Sequence, residues 1–358
     1  MSTMPPRPTE AAPVIPCRVS IVIKAFNEEE HICAAIESSL SAVSRVGGEV
    51  ILADACSTDR TVALASGYPI RIVQLSHAEE RSCGAGPQLG YQHTRGDYIY
   101  IMDGDQQMAA DFLEQALPLL HSRKDLAGIG GLIVEQNLTS HEFRNRADRA
   151  AKLPSAGPVE RLDCGGLYRR SAIEEVGYFS DRHLHSYEEF DLGARLRARG
   201  WLLWRLPLVA VMHFGHTAPP YSLLLRRWRS GYVCGLGELL RAAVGQPHLG
   251  LVIREVRELR LYATVLLWWA LLAAIAAWPL PLTVRLAGLC GLVLTPVLAM
   301  AWQKRSFARG LHAVVSWCVN TAGLLRGLAR SQPSSRAIES RVLQDRAAQY
   351  KNADTHAN

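Results

Sequence analysis

Asp97-Tyr98-Ile99-Tyr100-Ile101-Met102-Asp103-Gly104-Asp105 is the stretch on which the fold turns. Tyr98 to Met102 is apolar or aromatic without a break, and two carboxylates then flank a glycine. An unbroken apolar run this short fits a strand buried on both faces, the habit of parallel sheets. The acids fall just past its carboxyl end, where open α/β sheets bind their ligands.

The same order recurs upstream. Val19 to Ile23 is a β-branched run, followed by Asn27-Glu28-Glu29-Glu30 and by helical spacing over His31 to Val43. Acids in a first turn suit the helix dipole. Glu49 to Ala53 and Ile70 to Leu75 read as strands, and Arg60 to Ser66 and Pro87 to Thr94 as helices. Ser57-Thr58-Asp59 are of the type that caps the first of these helices. Downstream, Asp111 to His121, Phe143 to Ala151 and Glu188 to Arg199 have helical spacing, and Ile129 to Val134 and Leu206 to Met212 read as strands. Cys164-Gly165-Gly166-Leu167-Tyr168 is a Gly-rich strand or turn. Alternating strands and helices predict an α/β domain with a mostly parallel sheet and flanking helices. Asn27, Glu28, Asp54, Asp103 and Asp105 all fall at strand carboxyl ends. No G-x-G-x-x-G lies between the first strand and helix, so a dinucleotide-binding oxidoreductase is excluded.

The last third has another character. Leu261 to Leu280 carries no charge and is long enough to cross a bilayer as a helix. Pro281 to Trp302 follows with only Arg285 charged. Arg254, Arg257 and Arg260 precede the first run, and Lys304, Arg305 and Arg309 follow the second. Basic flanks on both sides predict that both ends face the cytoplasm. Gly310 to Leu325 is apolar but holds His312, Asn320 and Thr321, which fits a third span or an interfacial helix. Arg226, Arg227 and Arg229 add to the basic cluster. With a net charge of only +6 and no recognition motif, the cluster suits anionic headgroups rather than nucleic acid. The eight cysteines show no CxxC spacing, which leaves neither a zinc site nor a redox motif. The expected organisation is a disordered lead over 1–17, a catalytic domain over 18–217, and a basic amphipathic segment over 218–260. A membrane region over 261–330 and a polar tail over 331–358 complete it.

Two carboxylates one residue apart at a strand end can approach one cation, and hard oxygen donors suit Mg2+ or Mn2+. Such an ion neutralises a diphosphate leaving group. Taken alone, the tripeptide is more often a plain acidic turn.

Its neighbours raise its value. Ser20-Ile21-Val22-Ile23-Lys24-Ala25-Phe26-Asn27-Glu28-Glu29 comes first, then Asp54-Ala55-Cys56-Ser57-Thr58-Asp59-Arg60-Thr61. Arg95-Gly96-Asp97 leads into the acidic turn, and Glu188-Glu189-Phe190-Asp191-Leu192 with Arg195 closes the series. In this order the motifs resemble the glycosyltransferase family 2 proteins with a GT-A fold, over roughly Arg18 to His216. The resemblance implies transfer, with inversion, of a sugar from a nucleotide-diphosphate-sugar donor, aided by Mg2+ or Mn2+. The loop with Ala25, Asn27 and Glu28 would border the nucleoside, and Asp54 would accept from a base N–H. For Asp54 a capping role is the other reading.

Asp103 and Gly104 would face the diphosphate, with Asp103 and Asp105 on the ion and Asp105 the direct ligand. His213 or His216 would add a ligand or serve structure alone. Glu189 occupies the base position, where the family usually has Asp, and Glu188 and Asp191 stand as alternatives. Gly165-Gly166 resembles the acceptor-side glycine segment. Arg226-Arg227-Trp228 is similar to the Q-x-x-R-W element of processive members, with Leu224 at the Gln position; that departure argues against a processive synthase. Arg227 would hold the leaving diphosphate, or its helix would rest on the membrane. Lys24 stands where the family often has Pro and takes no assigned role. A membrane anchor favours a polyprenyl phosphate or a lipid-linked glycan as acceptor. The alternative is a nucleotide-sugar-binding membrane scaffold without transfer activity.

Overall fold

The computed structural model describes residues 18–137, 156–215, 218–330 and 337–347. The lead over 1–17, the helix expected over Phe143 to Ala151, His216 and most of the tail lie outside the described residues.

The first half follows the expected order: β1 (Val19–Ala25), α1 (Ile32–Val46), β2 (Gly48–Asp54), α2 (Thr61–Ala65), β3 (Arg71–Leu75), α3 (Ala85–Gln92) and β4 (Tyr98–Asp103). β1 pairs in parallel with β2 and β4, and β2 with β3. Ile21 and Ile23 face the core that contains α1, while Val22 faces the core that contains α3. Helices on both sides are why these strands read as unbroken apolar runs. The register sets Lys24 opposite Asp103, and Ala25 opposite Asp54. The polar groups of three strands therefore end side by side.

Next come β5 (Gln106–Met108), α4 (Phe112–Ser122), β6 (Leu126–Glu135), β7 (Gly157–Val159), β8 (Gly166–Arg169), α5 (Arg170–Glu175), α6 (Glu188–Ala198) and β9 (Leu202–His213). Here the sheet becomes mixed: β8 runs antiparallel to β4 and β6, and β5 antiparallel to β9. β9 runs parallel to β6, and β7 antiparallel to β9.

α7 (Pro220–Ser230), α8 (Gly235–Ala243) and α9 (Leu249–Glu255) lead to α10 (Glu258–Ala277) and α11 (Leu282–Gln303). Both of the last two are long and apolar enough to cross a membrane, and only 6% of each apolar window is buried. A core helix of a soluble protein buries such a surface; these leave it bare. Their buried residues cluster at one end, Tyr262 and Val265 early in α10 and Val297 late in α11. α12 (Phe307–Ala329) packs against both helices and against α7 and α8.

The chain then returns to the sheet. β10 (Ser340–Asp345) lies antiparallel to β3 as the edge strand of the order β10-β3-β2-β1-β4-β8-β6-β9-β5. The expected polar tail therefore includes a sheet strand. Ile338 is buried beside it, held by two hydrogen bonds with the Gln92 side chain. So brief a run has no periodicity of its own; its partners make it a strand.

Candidate active site

The loop after β1 is sewn to the loop after β2. The backbone N–H of Asn27 donates to Ser57 Oγ (2.9 Å), that of Glu28 to Thr61 Oγ1 (2.8 Å) and that of Glu29 to Asp59 Oδ2 (3.1 Å). Asn27 Oδ1 accepts from Thr58 N–H at 2.8 Å. The Ser, Asp and Thr of the D-x-x-S-x-D-x-T stretch thus shape the neighbouring loop. Asn27 (φ 57°) and Cys56 (φ 58°) hold left-handed backbone here, as Tyr187 (φ 67°) does just before Glu188. Three strained positions bordering one site are the pattern expected of a functional surface.

Asp54 is fully buried at the end of β2. Its Oδ2 accepts from Ser57 N–H (3.0 Å) and from Gln74 Nε2 (2.8 Å). Its Oδ1 is buried without a hydrogen-bond partner among the described residues. An orphaned carboxylate oxygen at a strand end is a ready acceptor for a ligand N–H. Asp54 closes a short turn, and α2 begins only at Thr61, so a helix-capping role fails. Phe26 is exposed beside this loop, with the Arg81 guanidinium 3.6 Å from its ring centre.

The acidic turn is pinned to β1 by Gly104 N–H donating to Lys24 O (2.9 Å). A Cβ at Gly104 would lie 2.8 Å from Glu28 Cγ, so only glycine lets the two loops meet. The two acids do not converge. Asp103 Oδ1 meets Lys24 Nζ at 3.0 Å, whereas Asp105 Oδ2 meets His213 Nε2 at 3.2 Å. The other nitrogen of His213 meets Glu135 Oε2 at 2.5 Å. Burial would push the His213 imidazole down, but Asp105 and Glu135 outweigh it and raise its pKa to about 9. Burial would raise the Asp103 carboxyl, but Lys24 outweighs it and holds that group below its ordinary value.

α6 brings its first-turn acids to the same place. Glu188 Oε1 lies 3.6 Å from Lys24 Nζ. Cys164 donates its thiol hydrogen to Glu189 Oε1 at 3.2 Å. Glu188 and Glu189 line a recess with Lys24, Asp163, Cys164 and Tyr168. Burial raises the pKa of Glu189 from 4.5 to about 8; Lys24 opposes this, and Glu188, Asp163 and Asp103 add to it. Asp191 does not join them. It is fully buried, paired at 2.7 Å with Arg195, which also donates to the carbonyls of Tyr178 and Phe179. Arg227 lies elsewhere, on α7, with its guanidinium 5.1 Å from the Tyr232 ring centre. Sequence reasoning missed Lys24, Glu135 and Cys164. The i,i+4 spacing of Asp191 and Arg195 was the available sign that Asp191 is structural.

A family model described as Glycosyl transferase family 2 matches residues 20–177. EpsE of Bacillus subtilis (strain 168) is 30% identical over 196 residues, 51% of this chain and 68% of that protein. The chain belongs to glycosyltransferase family 2. Dolichol-phosphate mannosyltransferase of Pyrococcus furiosus is 24% identical over 114 residues, spanning 31% of this chain and 32% of that protein. The chain also shares the fold of the mannosyltransferase PcManGT from Pyrobaculum calidifontis, solved in complex with GDP-Man and Mn2+. That likeness has a TM-score of 0.59 at 19% identity and covers 90% of this chain and 91% of that one. This family 2 enzyme is a glycosyltransferase with a GT-A-type domain.

Proposed function

We propose that this glycosyltransferase moves a sugar, with inversion, from a nucleotide-diphosphate-sugar to an acceptor held at a membrane. The observation that carries the reading is the recess shared by Glu189 and Lys24, whose ammonium reaches the acidic turn. There the acceptor oxygen forms its bond to the anomeric carbon while Glu189 takes the hydroxyl proton. The bond to the diphosphate breaks, and its electron pair leaves with the diphosphate. Asp54 Oδ1, with the Ala25 to Glu28 loop beside it, suits a nucleobase N–H.

The donor set suits a Mg2+ or Mn2+ ion in part. No group of three or more His, Cys, Asp or Glu side chains among the described residues forms a ready cage. Asp105 and His213 supply two converging donors, with Glu135 fixing the imidazole from behind, and such ions take their remaining ligands from phosphate and water. When bound, the ion supplies positive charge to the diphosphate. The complex of PcManGT with GDP-Man and Mn2+ supports donor and ion alike. Arg227 is assigned to the leaving diphosphate or to the membrane face of α7.

α10 and α11 are assigned as spans. The basic residues at Arg254, Arg257, Lys304 and Arg305 support a catalytic domain on the cytoplasmic side. A lipid-linked glycan supplies the hydroxyl that Glu189 would deprotonate; a polyprenyl phosphate, the acceptor in keeping with the name of the Pyrococcus furiosus relative, brings its own oxyanion and needs no base. UDP-, GDP- and dTDP-sugars, screened with Mn2+ by thermal shift, identify the donor through the stabilisation that binding brings. Turnover of that donor should fall about 100-fold or more in Glu189→Gln, with binding kept. Turnover that survives both Glu189→Gln and Asp105→Ala would refute the reading; no turnover in the native chain would favour a scaffold.

A further inference from the structure

Lys24 is the site residue to which the family pattern gives no role. It stands one residue before the end of β1, in register with Asp103. Its ammonium lies 3.0 Å from Asp103 Oδ1 and 3.6 Å from Glu188 Oε1, and its side chain is only 15% exposed. The fold makes room for it. A Cβ at Gly86 of α3 would lie 3.1 Å from Lys24 Cβ. Burial pulls the ammonium towards neutrality, but the carboxylates around it, Asp103 first, outweigh burial and hold it well above its ordinary value. The group is a permanent cation within a reacting site.

We propose that Lys24 is a positioning residue for the transfer. Its one ammonium ties Asp103, at the donor end, to Glu188, beside the base, and keeps Asp103 out of the cation's ligand set. The proposal rests on Glu189 being the base. Two consequences separate it from a merely structural ion pair. Without the ammonium, Asp103 becomes available to a divalent ion alongside Asp105. Without it, too, Glu189 faces Asp103, Asp163 and Glu188 with one close positive charge fewer, Arg161 and the Arg205 partner of Asp163 remaining.

The test uses the full chain in detergent micelles and the variants Lys24→Met and Lys24→Gln. The second removes the charge but keeps a hydrogen-bond donor, and it decides the matter if the first fails to fold. Mn2+ alone, titrated without nucleotide and followed by electron paramagnetic resonance, should bind about tenfold tighter to either variant, the free-energy equivalent of ~1.4 kcal/mol. Release of nucleoside diphosphate from UDP-GlcNAc and from GDP-mannose is then followed against pH. The acid limb of the rate should rise by about one pH unit, the effect of losing one close cation. kcat should fall about 100-fold with the donor KM changed less than about threefold, the signature of an interaction made in the transition state. Unchanged Mn2+ affinity together with an unshifted limb overturns the proposal, whatever the melting temperature. If the native chain turns over neither donor, the choice of donor or the transfer reading itself is at fault, and the Mn2+ titration still decides the role of Lys24.

Discussion

At the scale of single residues, ionisation separates the candidates that sequence left side by side. Glu189 works as a base only when charged, and its pKa is raised to about 8. Turnover should therefore climb as pH rises through about 8, where it stands at half its limit, and level off about one unit above; a rate already flat from pH 6 would exclude Glu189. Stability runs the other way. A carboxyl raised in the folded state favours folding while it is protonated, so that contribution is lost between about 4.5 and about 8. Glu189→Gln should gain melting temperature over the native chain at pH 9 and gain little at pH 5. Asp191→Ala should act on the fold, because it strands the buried Arg195 guanidinium. We expect a loss of about 3–5 kcal/mol, read by denaturant unfolding, with any surviving folded protein still binding donor. The motif made Asp191 a rival base because acids at i and i+2 look alike in a sequence. Burial and the partner at i+4 distinguish them. Lys24 was opaque for a different reason. Its partners come from β4 and α6, and nothing near Lys24 in sequence names either.

At the scale of elements, the parallel half was legible and the return strand was not. β1, β2 and β4 announce themselves as apolar runs because they are buried on both faces, and the acids at their ends follow from that. β10 has an exposed, mostly polar surface with Val342 and Leu343 in the open, so only its pairing defines it. Yet Asp345 is within ion-pair distance of Arg71 and Arg95, and Ile338 joins the core beside α3. Removing residues 337–358 should lower the melting temperature by about 5 °C or more, given about 2–4 °C per kcal/mol for a domain of this size. An unchanged melting curve would show β10 to be ornamental. For the same reason, a catalytic fragment cut near Gln246 lacks one edge of its own sheet.

At the scale of the whole molecule, α10 and α11 form an apolar hairpin that leaves one side of the catalytic domain and comes back to it. Leu271, half exposed midway along α10, is a direct probe. Leu271→Arg should release the protein from membranes into an alkaline carbonate wash, or abolish accumulation, since a mid-span arginine costs about 2.5–3.5 kcal/mol on insertion. Retention in the membrane pellet at native levels would count against a span there. The return of the chain also sets an order of events during synthesis. β3 leaves the ribosome early, but its outer neighbour follows only after both apolar helices have been made. The sheet stays open along that edge until the last strand has docked. On the proposed topology, the outer edge of the catalytic sheet is therefore closed only by a strand made after both spans, and a chain that stops between them leaves β3 without its outer neighbour.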